Sequence, residues 1–537
     1  MAHGIQRVGV CGAGTMGAGI AQVCALAGFR VMLYDAIPEA LPRALERIRR
    51  DLERAVERGR LGRDAQEQAL ARIVPTEVLE ALGPCELVIE AAPEDLHLKQ
   101  DLFRRLGEVC PASLLATNTS SLSVAEIAAA TPRPDRVAGL HFFNPAPAMP
   151  LVEVVRAPRT APEAVERLVA FARDLGKTPI VVRDRPGFVV NRVNRPFYGE
   201  ALRMVGEGLA DPPTVDHALR GAGGFRMGPF ELMDLVGIDV GYAVSQALYQ
   251  AFFGESRFRP HPLQREMVLS GRLGRKTGGG FYGYEEGRTP PSPPLSLPEA
   301  DPGPYAVAGR SDLAGELVRR LRDRGYTVVE VPDPPRGPLP VRAVFEAEVE
   351  DRDRKQEMLR GLDGAIPGEA VVLAACTNAA CAECAAWVRR PERLAGYVTL
   401  PPLADRKLLE WTVHERTEIN AEPYLAALGL PLLRVGDGPG GVFPRVLATL
   451  VNEAAFACGE GVATPEDVDT AMRLGTNHPF GPFTWAERVG IRTLVGILEG
   501  LQVYYGEERY RTAPWLRRAA WMGRWPGGRV RDDEPGN

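Results

Sequence analysis

Short, unbroken apolar runs alternate along this chain with longer segments whose apolar positions recur every three or four residues. Val8-Gly9-Val10-Cys11, Val31-Met32-Leu33-Tyr34, Leu87-Val88-Ile89 and Leu114-Leu115-Ala116 are runs of the first kind. Lacking polar alternation, they read as strands covered on both faces, as in a parallel sheet flanked by helices. Ile20 to Ala27 and residues 39–59 are segments of the second kind. In the latter, Leu41, Leu45, Ile48, Leu52 and Val56 form one stripe, and Arg and Glu fill much of the rest. Pro38 suits a first helical turn and Pro42 does not, which leaves the start of that helix open. Two later apolar runs each carry one titratable side chain: His141 in Gly139-Leu140-His141-Phe142-Phe143, and Glu153 in Leu151-Val152-Glu153-Val154-Val155. From Phe188, after the turn Arg185-Pro186-Gly187, the chain reads as helices as far as Arg275-Lys276-Thr277-Gly278-Gly279-Gly280-Phe281-Tyr282. The pattern predicts an α/β fold: a Rossmann-type domain over 1–185 and an all-helical domain over 186–285.

A Pro-rich stretch then intervenes, Thr289-Pro290-Pro291-Ser292-Pro293-Pro294 with Pro298, Pro302 and Pro304, and reads as a linker over 286–304. Beyond it the order recurs. Tyr305-Ala306-Val307-Ala308-Gly309 reads as a first strand and Leu313 to Leu321 as the helix after it. The second half divides in the same way, a degenerate Rossmann-like domain over 305–436 and a second helical domain over 437–537. A chain of 537 residues is too long for one core, which agrees with several domains.

Composition narrows the function classes. The net charge of -5 gives no basic footprint, so nucleic acid is not an expected partner. No apolar run has transmembrane length and none reads as a signal peptide, so no membrane partner is expected and the protein is placed in the cytoplasm. The eight cysteines are scattered and read as free thiols. Cys381-x-x-Cys384 lacks a second pair to complete a zinc site and reads as helix packing, so no metal is expected.

Candidate chemistry begins at the first strand. Gly12-Ala13-Gly14-Thr15-Met16-Gly17 links that strand to a helix. Gly12 allows the tight turn, Gly14 lets backbone approach a pyrophosphate, and Gly17 lets the helix pack close to the strand. The helix N-terminus adds N–H donors for the phosphates. Gly12, Gly14, Thr15, Met16 and Gly17 are therefore candidate cofactor contacts. Asp35 closes the second strand, where it can accept from both ribose hydroxyls and would repel a 2′-phosphate, so NAD is expected over NADP. A lone His on an apolar strand is more often a core residue. His141 differs in its setting: Glu153 follows twelve residues later, and the hydroxyl- and amide-rich Thr117-Asn118-Thr119-Ser120-Ser121 lies upstream. An imidazole held by a carboxylate is the pair a general base needs at neutral pH.

The strings ATNTSSL at 116–122, GLHFFNP at 139–145, MPLVEVV at 149–155 and RPGFVVNRV at 185–193 resemble those of the 3-hydroxyacyl-CoA dehydrogenase family. The resemblance implies NAD-dependent oxidation of the (S)-hydroxyl of an acyl-CoA thioester, with His141 as base and Glu153 behind it. It implies that Ser120 touches both cofactor and substrate oxygen and that Asn191 binds the 3-oxygen. It adds Glu94, Lys99, Asn144 and Lys276 on the cofactor side and Arg58 for coenzyme A. Asp51 stands at a family coenzyme A position where a carboxylate could not help a phosphate. MRLGTNHPFGPFTW at 472–485 resembles bacterial two-copy enzymes, 3-hydroxybutyryl-CoA or 3-hydroxyadipyl-CoA dehydrogenases of fatty-acid or phenylacetate degradation.

At an offset of 257, Ser120 maps to Thr377, His141 to Val398, Asn144 to Pro401 and Glu153 to Glu410, and at 253 Asn191 maps to Pro444. Ser311 and Ala314 replace the second and third glycines of the loop that opens at Gly309. The second half reads as a catalytically silent duplicate, and single-copy relatives pair through their helical domains. An internal pseudo-dimer is therefore expected, with room for further homo-oligomers. Two rival readings are set aside. A structural protein that kept the fold would not need every catalytic position intact, and a β-hydroxyacid dehydrogenase would need a Lys near Asn191.

Overall fold

The computed structural model describes residues 4–284 and 291–526; residues 1–3, the domain boundary and linker start at 285–290, and the tail from 527 lie outside the described residues. Eight strands form the first sheet: β1 (Arg7–Cys11), β2 (Arg30–Tyr34), β3 (Ile73–Thr76), β4 (Leu87–Glu90), β5 (Leu114–Thr117), β6 (Val137–Phe142), β7 (Leu151–Arg156) and β8 (Thr178–Arg183). Their spatial order is β3-β2-β1-β4-β5-β6-β7-β8. All neighbours run parallel except β6 and β7. Only residues 143–150 join those two strands, too few for the crossover a parallel pair requires. The order reverses between β1 and β4, the crevice where such sheets bind dinucleotides.

Seven strands form the second sheet: β9 (Tyr305–Ala308), β10 (Val328–Val331), β11 (Ala343–Glu346), β12 (Val371–Ala375), β13 (Leu394–Val398), β14 (Leu409–Thr412) and β15 (Leu432–Arg434). Their order is β10-β9-β11-β12-β13-β14-β15, with β13 and β14 antiparallel. The architecture is the expected one, a Rossmann-type sheet and a helical domain repeated in degenerate form. Among its described residues the repeat lacks a counterpart of β3 and of the helical hairpin Ala40–Glu57 and Arg63–Ala71 that precedes it. Leu41, Ile48 and Leu52 of that hairpin are buried as the stripe predicts, each contributing about 1.5–3 kcal/mol.

By packing, the chain forms two compact units. The first holds residues 1–192 and 461–476; the second holds 193–460 and 477–537. In the first unit the helix Pro465–Thr476 lies on β7 and β8, and Arg183 N–H donates to Val462 O at 2.8 Å. A helix from the second half of the sequence thus completes the first sheet, which a contiguous division of the sequence does not contain.

In the second unit the two sets of helices share one core. Helix Phe443–Gly459 is buried along most of its length and packs on Arg195–Gly206, Ile491–Tyr505 and Pro514–Met522. Arg445, fully buried, reaches Glu200 at 2.7 Å and Glu207 at 2.8 Å. Equivalent residues make reciprocal contacts. Arg257 meets Glu453 at 2.7 Å, and Arg509, the counterpart of Arg257 at an offset of 252, lies 3.7 Å from Glu200, the counterpart of Glu453 at an offset of 253. Phe225 and His478, related by the offset of 253, meet edge to face at 5.0 Å. Burial pushes the His478 imidazole down to about 3, so it stays neutral there. The linker is pinned as well, since Ser296 exchanges two backbone hydrogen bonds with Leu432 of β15. Among the described residues, no helix is long and apolar enough to cross a membrane.

Candidate active site

The antiparallel step builds the site. In the β6–β7 register His141 stands directly opposite Glu153, so two buried side chains separated by a short hairpin face each other. His141 Nδ1 lies 2.7 Å from Glu153 Oε2. The other carboxylate oxygen, Oε1, accepts the N–H groups of Val189 (3.0 Å) and Val190 (3.1 Å). One carboxylate therefore fixes the imidazole and also the segment that carries Asn191. With Nδ1 held by Glu153, the imidazole has Nε2 left to exchange a proton. Phe143 packs on the ring at 4.5 Å, and Phe188 meets it edge-on at 5.7 Å. Phe188 sits in the left-handed region, φ 48°, following Gly187 at φ 72°. Two successive left-handed residues turn the chain so that the next N–H groups aim at Glu153, and for a bulky residue that geometry costs of order 1–3 kcal/mol.

Asn191 Nδ2 donates to the backbone oxygen of Ser120 at 3.3 Å, so these two expected substrate contacts stand side by side. Behind Ser120 lies Glu94, whose Oε1 accepts from Thr119 Oγ1 (2.7 Å), Ser120 N–H (2.9 Å) and Ser121 Oγ (2.9 Å). Burial opposes its charge, but Lys99 and these hydrogen bonds outweigh it and hold the carboxyl below its ordinary range. Lys99 is itself buried, with Nζ 2.5 Å from Glu90 Oε1, 3.2 Å from Ala92 O and 3.4 Å from Glu94 Oε2. Its three donors face three acceptors of the protein, so its contribution to a ligand passes through Glu94.

The glycine loop has the shape a pyrophosphate requires. A Cβ on Gly12, φ 105°, would lie 2.5 Å from Ala91 O, and one on Gly17 would meet Gly12 O. Gly14 faces open space. Helix Thr15–Leu26 begins there, and Arg47 Nη1 donates to Thr15 Oγ1 at 2.8 Å. Asp35 ends beside the loop, its Oδ2 accepting from Ala13 N–H at 2.6 Å. These residues fit a dinucleotide: backbone donors for the phosphates at the loop, and a carboxylate for the ribose at the strand end.

Met16 follows Thr15 into that helix, and Asn144 is exposed just past the end of β6. Arg58 is exposed at the C-terminus of helix Ala40–Glu57. Lys276 belongs to the second unit, where its Nζ pairs with Asp239 at 2.6 Å. Sequence reasoning passed over Glu90, which accepts from Thr117 Oγ1 at 2.6 Å and anchors Lys99. Its place at the end of a buried strand, beside the crevice, was the available signal. It also passed over the ring of Phe188, because a positive φ leaves no trace in a string of letters.

Comparison with known proteins gives the family. The model of the 3-hydroxyacyl-CoA dehydrogenase NAD binding domain matches residues 7–185, and that of the C-terminal domain matches 187–284 and again 440–529. The chain is 40% identical over 519 residues to a 3-hydroxyadipyl-CoA dehydrogenase of Escherichia coli, covering 96% of this chain and 98% of that one. A pig mitochondrial hydroxyacyl-coenzyme A dehydrogenase is 39% identical over 288 residues, 52% of this chain and 92% of its own. Among solved structures, a 3-hydroxybutyryl-CoA dehydrogenase of E. coli superposes with a TM-score of 0.78 at 38% identity, covering 96% and 98% of the two chains.

Proposed function

The chain belongs to the 3-hydroxyacyl-CoA dehydrogenase family and is an NAD-dependent dehydrogenase, and on that premise we propose that it oxidises an (S)-3-hydroxyacyl-CoA to the 3-oxoacyl-CoA with the His141–Glu153 pair as general base. The observation that carries the reading is the 2.7 Å contact between those two buried side chains. His141 takes the hydroxyl proton at Nε2. Glu153 keeps Nδ1 as the donor and offsets the charge the ring gains. Ser120 and Asn191 hold the 3-oxygen, so that the proton leaving that oxygen and the hydride leaving C3 are aligned together. Bound NAD supplies the hydride acceptor. Gly12, Gly14, Thr15, Met16 and Gly17 hold its pyrophosphate, and Asp35 its ribose. Glu94, braced by Lys99, stands with Asn144 on the nicotinamide side, Lys276 is assigned to the cofactor, and Arg58 meets a phosphate of coenzyme A.

We also propose that the two halves form a covalent pseudo-dimer with one active site and that the enzyme is cytoplasmic. The reciprocal Arg257–Glu453 and Arg509–Glu200 contacts support the pseudo-dimer. The domain division is taken as 1–185, 186–285, 286–304, 305–436 and 437–537.

The test is NADH oxidation by the purified protein with acetoacetyl-CoA, longer 3-oxoacyl-CoAs and 3-oxoadipyl-CoA. Preference for 3-oxoadipyl-CoA would assign it to phenylacetate-type degradation, and preference for the monocarboxylic thioesters to fatty-acid degradation. Inactivity with all of them would sink the reading.

A further inference from the structure

We infer that the helix Pro465–Thr476, encoded in the catalytically silent half, is a positioning element of the active site, with Gly475 setting the place of the Val189–Asn191 segment. The inference rests on the His141–Glu153 reading above. Thr464 opens the helix, its Oγ1 accepting from Asp467 N–H at 3.1 Å. Val468, Ala471 and Met472 are buried, and Gly475 continues that stripe at the helical spacing. The segment enters the unit through the hydrogen bond from Arg183, the last residue of β8, to Val462 O.

Gly475 marks the closest approach. A Cβ there would lie 2.9 Å from Leu151 Cδ2 and 3.0 Å from Val190 Cγ2. Glycine within a helix is otherwise disfavoured, and such close contact is what offsets it. Both neighbours belong to the site's frame. Leu151 opens the strand that carries Glu153. Val190 gives its N–H to Glu153 Oε1 and precedes Asn191. Displacing Val190 would shift the hydrogen bond on Glu153 and the approach of Asn191 to Ser120 together.

A contact of the same kind, though not between equivalent glycines (at the offset of 253 Gly475 corresponds to Ala222), is built in the other direction. Leu408 is the counterpart of Leu151 at the offset of 257. Gly221, in the helix Pro212–Gly221 of the first half, approaches Leu408 so closely that an added Cβ would meet its side chain, and Gly221 O accepts from Lys407 N–H at 2.9 Å. Each half therefore lends one helix to the other's sheet, and only the helix given by the silent half lies on a segment that bears chemistry.

The experiment uses the full chain with Gly475→Ala and Gly475→Leu, beside His141→Gln and Arg473→Ala, the last at an exposed position of the same helix. Gly475→Leu should lower kcat by roughly tenfold or more, change the NAD Kd less than twofold, and move the acid limb of the pH–rate profile. Gly475→Ala should fall between it and the wild type, and adding Val190→Ala to Gly475→Ala should restore part of the loss. Arg473→Ala should match the wild type. If Gly475→Leu does not fold, Gly475→Ala and its double variant are read by the same criteria. A folded Gly475 variant with a lowered Tm but unchanged kcat and pH profile would show a structural role only and overturn the inference. If His141→Gln remains active, the base assignment itself falls, a result distinct from a silent Gly475.

Discussion

Glu153 and Glu410 stand opposite His141 and Val398 in the two antiparallel hairpins, and each holds the segment that follows its sheet. Glu410 accepts from Val442 N–H at 2.7 Å and Phe443 N–H at 3.0 Å, the positions equivalent to Val189 and Val190. Asp184 accepts from Ala125 N–H at 2.8 Å, and its counterpart Asp437 from Ala382 N–H at 2.8 Å. Lys99 is buried against Glu90, and Lys355 lies 2.5 Å from Glu346 in the same way. Lysine occurs only at 99, 177, 276, 355 and 407 in a chain otherwise rich in Arg, so its retention at both buried positions is selective. What both halves keep is scaffold. What only the first keeps are the groups proposed to carry chemistry, the imidazole, Ser120 and Asn191, together with the open Gly14 and the helical hairpin.

Phe188 shows the same division at one residue. Its counterpart Gly441 has φ 49°, nearly the same angle as Phe188. The second half relaxes to the residue that carries no strain there, while the first retains a strained aromatic whose ring flanks His141. The second glycine loop has closed in a similar way. Ser311 Oγ donates to Ala347 O at 2.5 Å, and the Arg310 N–H is taken by Glu348 at 3.0 Å. Since Ala13 N–H is likewise taken by Asp35 in the first loop, what sets the second apart is Ser311 and Ala314 in the places of Gly14 and Gly17.

His141→Gln should break the comparison most strongly by making the first half as silent as the second. Turnover should fall by a factor of about 10²–10⁴ while NAD binding stays nearly intact. Near-normal turnover would remove His141 from the mechanism.

Lys355→Met should act on the scaffold instead. It leaves Glu346 buried without its partner, which destabilises by about 3–5 kcal/mol, read as an earlier urea transition with activity per folded molecule unchanged. Lys99→Met should destabilise comparably and also weaken NAD binding, because Glu94 depends on it. Equal effects of the two on NAD affinity would contradict the division.

Calorimetric titration should find one NAD per chain, with NADP weaker. Asp35→Ala should narrow that preference by roughly tenfold, about 1.4 kcal/mol. Two NAD sites per chain would mean that the second loop still accepts the cofactor.

The smallest effect concerns Glu410, where burial pushes the carboxyl up to about 7 from an ordinary 4.5. The folded protein keeps a proton that the unfolded chain releases across that interval. Its contribution to stability is thus full below the ordinary value and is lost as pH rises through about 7. Glu410→Gln should flatten the fall in Tm between about pH 5 and about pH 8. A Tm curve parallel to the wild type's would exclude it.

The sheets, the glycine loop, the buried places of His141 and Glu153 and the repeat of the whole arrangement were legible because each depends on local pattern or spacing. The pairing of His141 with Glu153 was legible too, since a short connection between apolar runs forces a hairpin. Three things were not. The left-handed Phe188 is a backbone property that its side chain does not announce. The burial of Lys99 against Glu90, Ala92 and Glu94 depends on how its helix folds back over the end of β4, which the spacing of those charges along the chain does not show. The exchange of Pro212–Gly221 and Pro465–Thr476 between halves leaves the local pattern of each helix unchanged, so nothing near either one signals where it docks.

That exchange also sets a clock on synthesis. The first unit needs residues 461–476, yet its other residues are complete by position 192. At roughly 5–20 residues per second, its final helix leaves the ribosome about a quarter of a minute to about a minute after the rest. Until then the faces of Leu151 and Val190 that Gly475 covers lie open on the nascent chain. Ribosome-arrested chains released at increasing lengths should become protease-resistant around Glu153 only once residue 476 has emerged. The enzyme's first-made sheet is among the last parts of it to be finished.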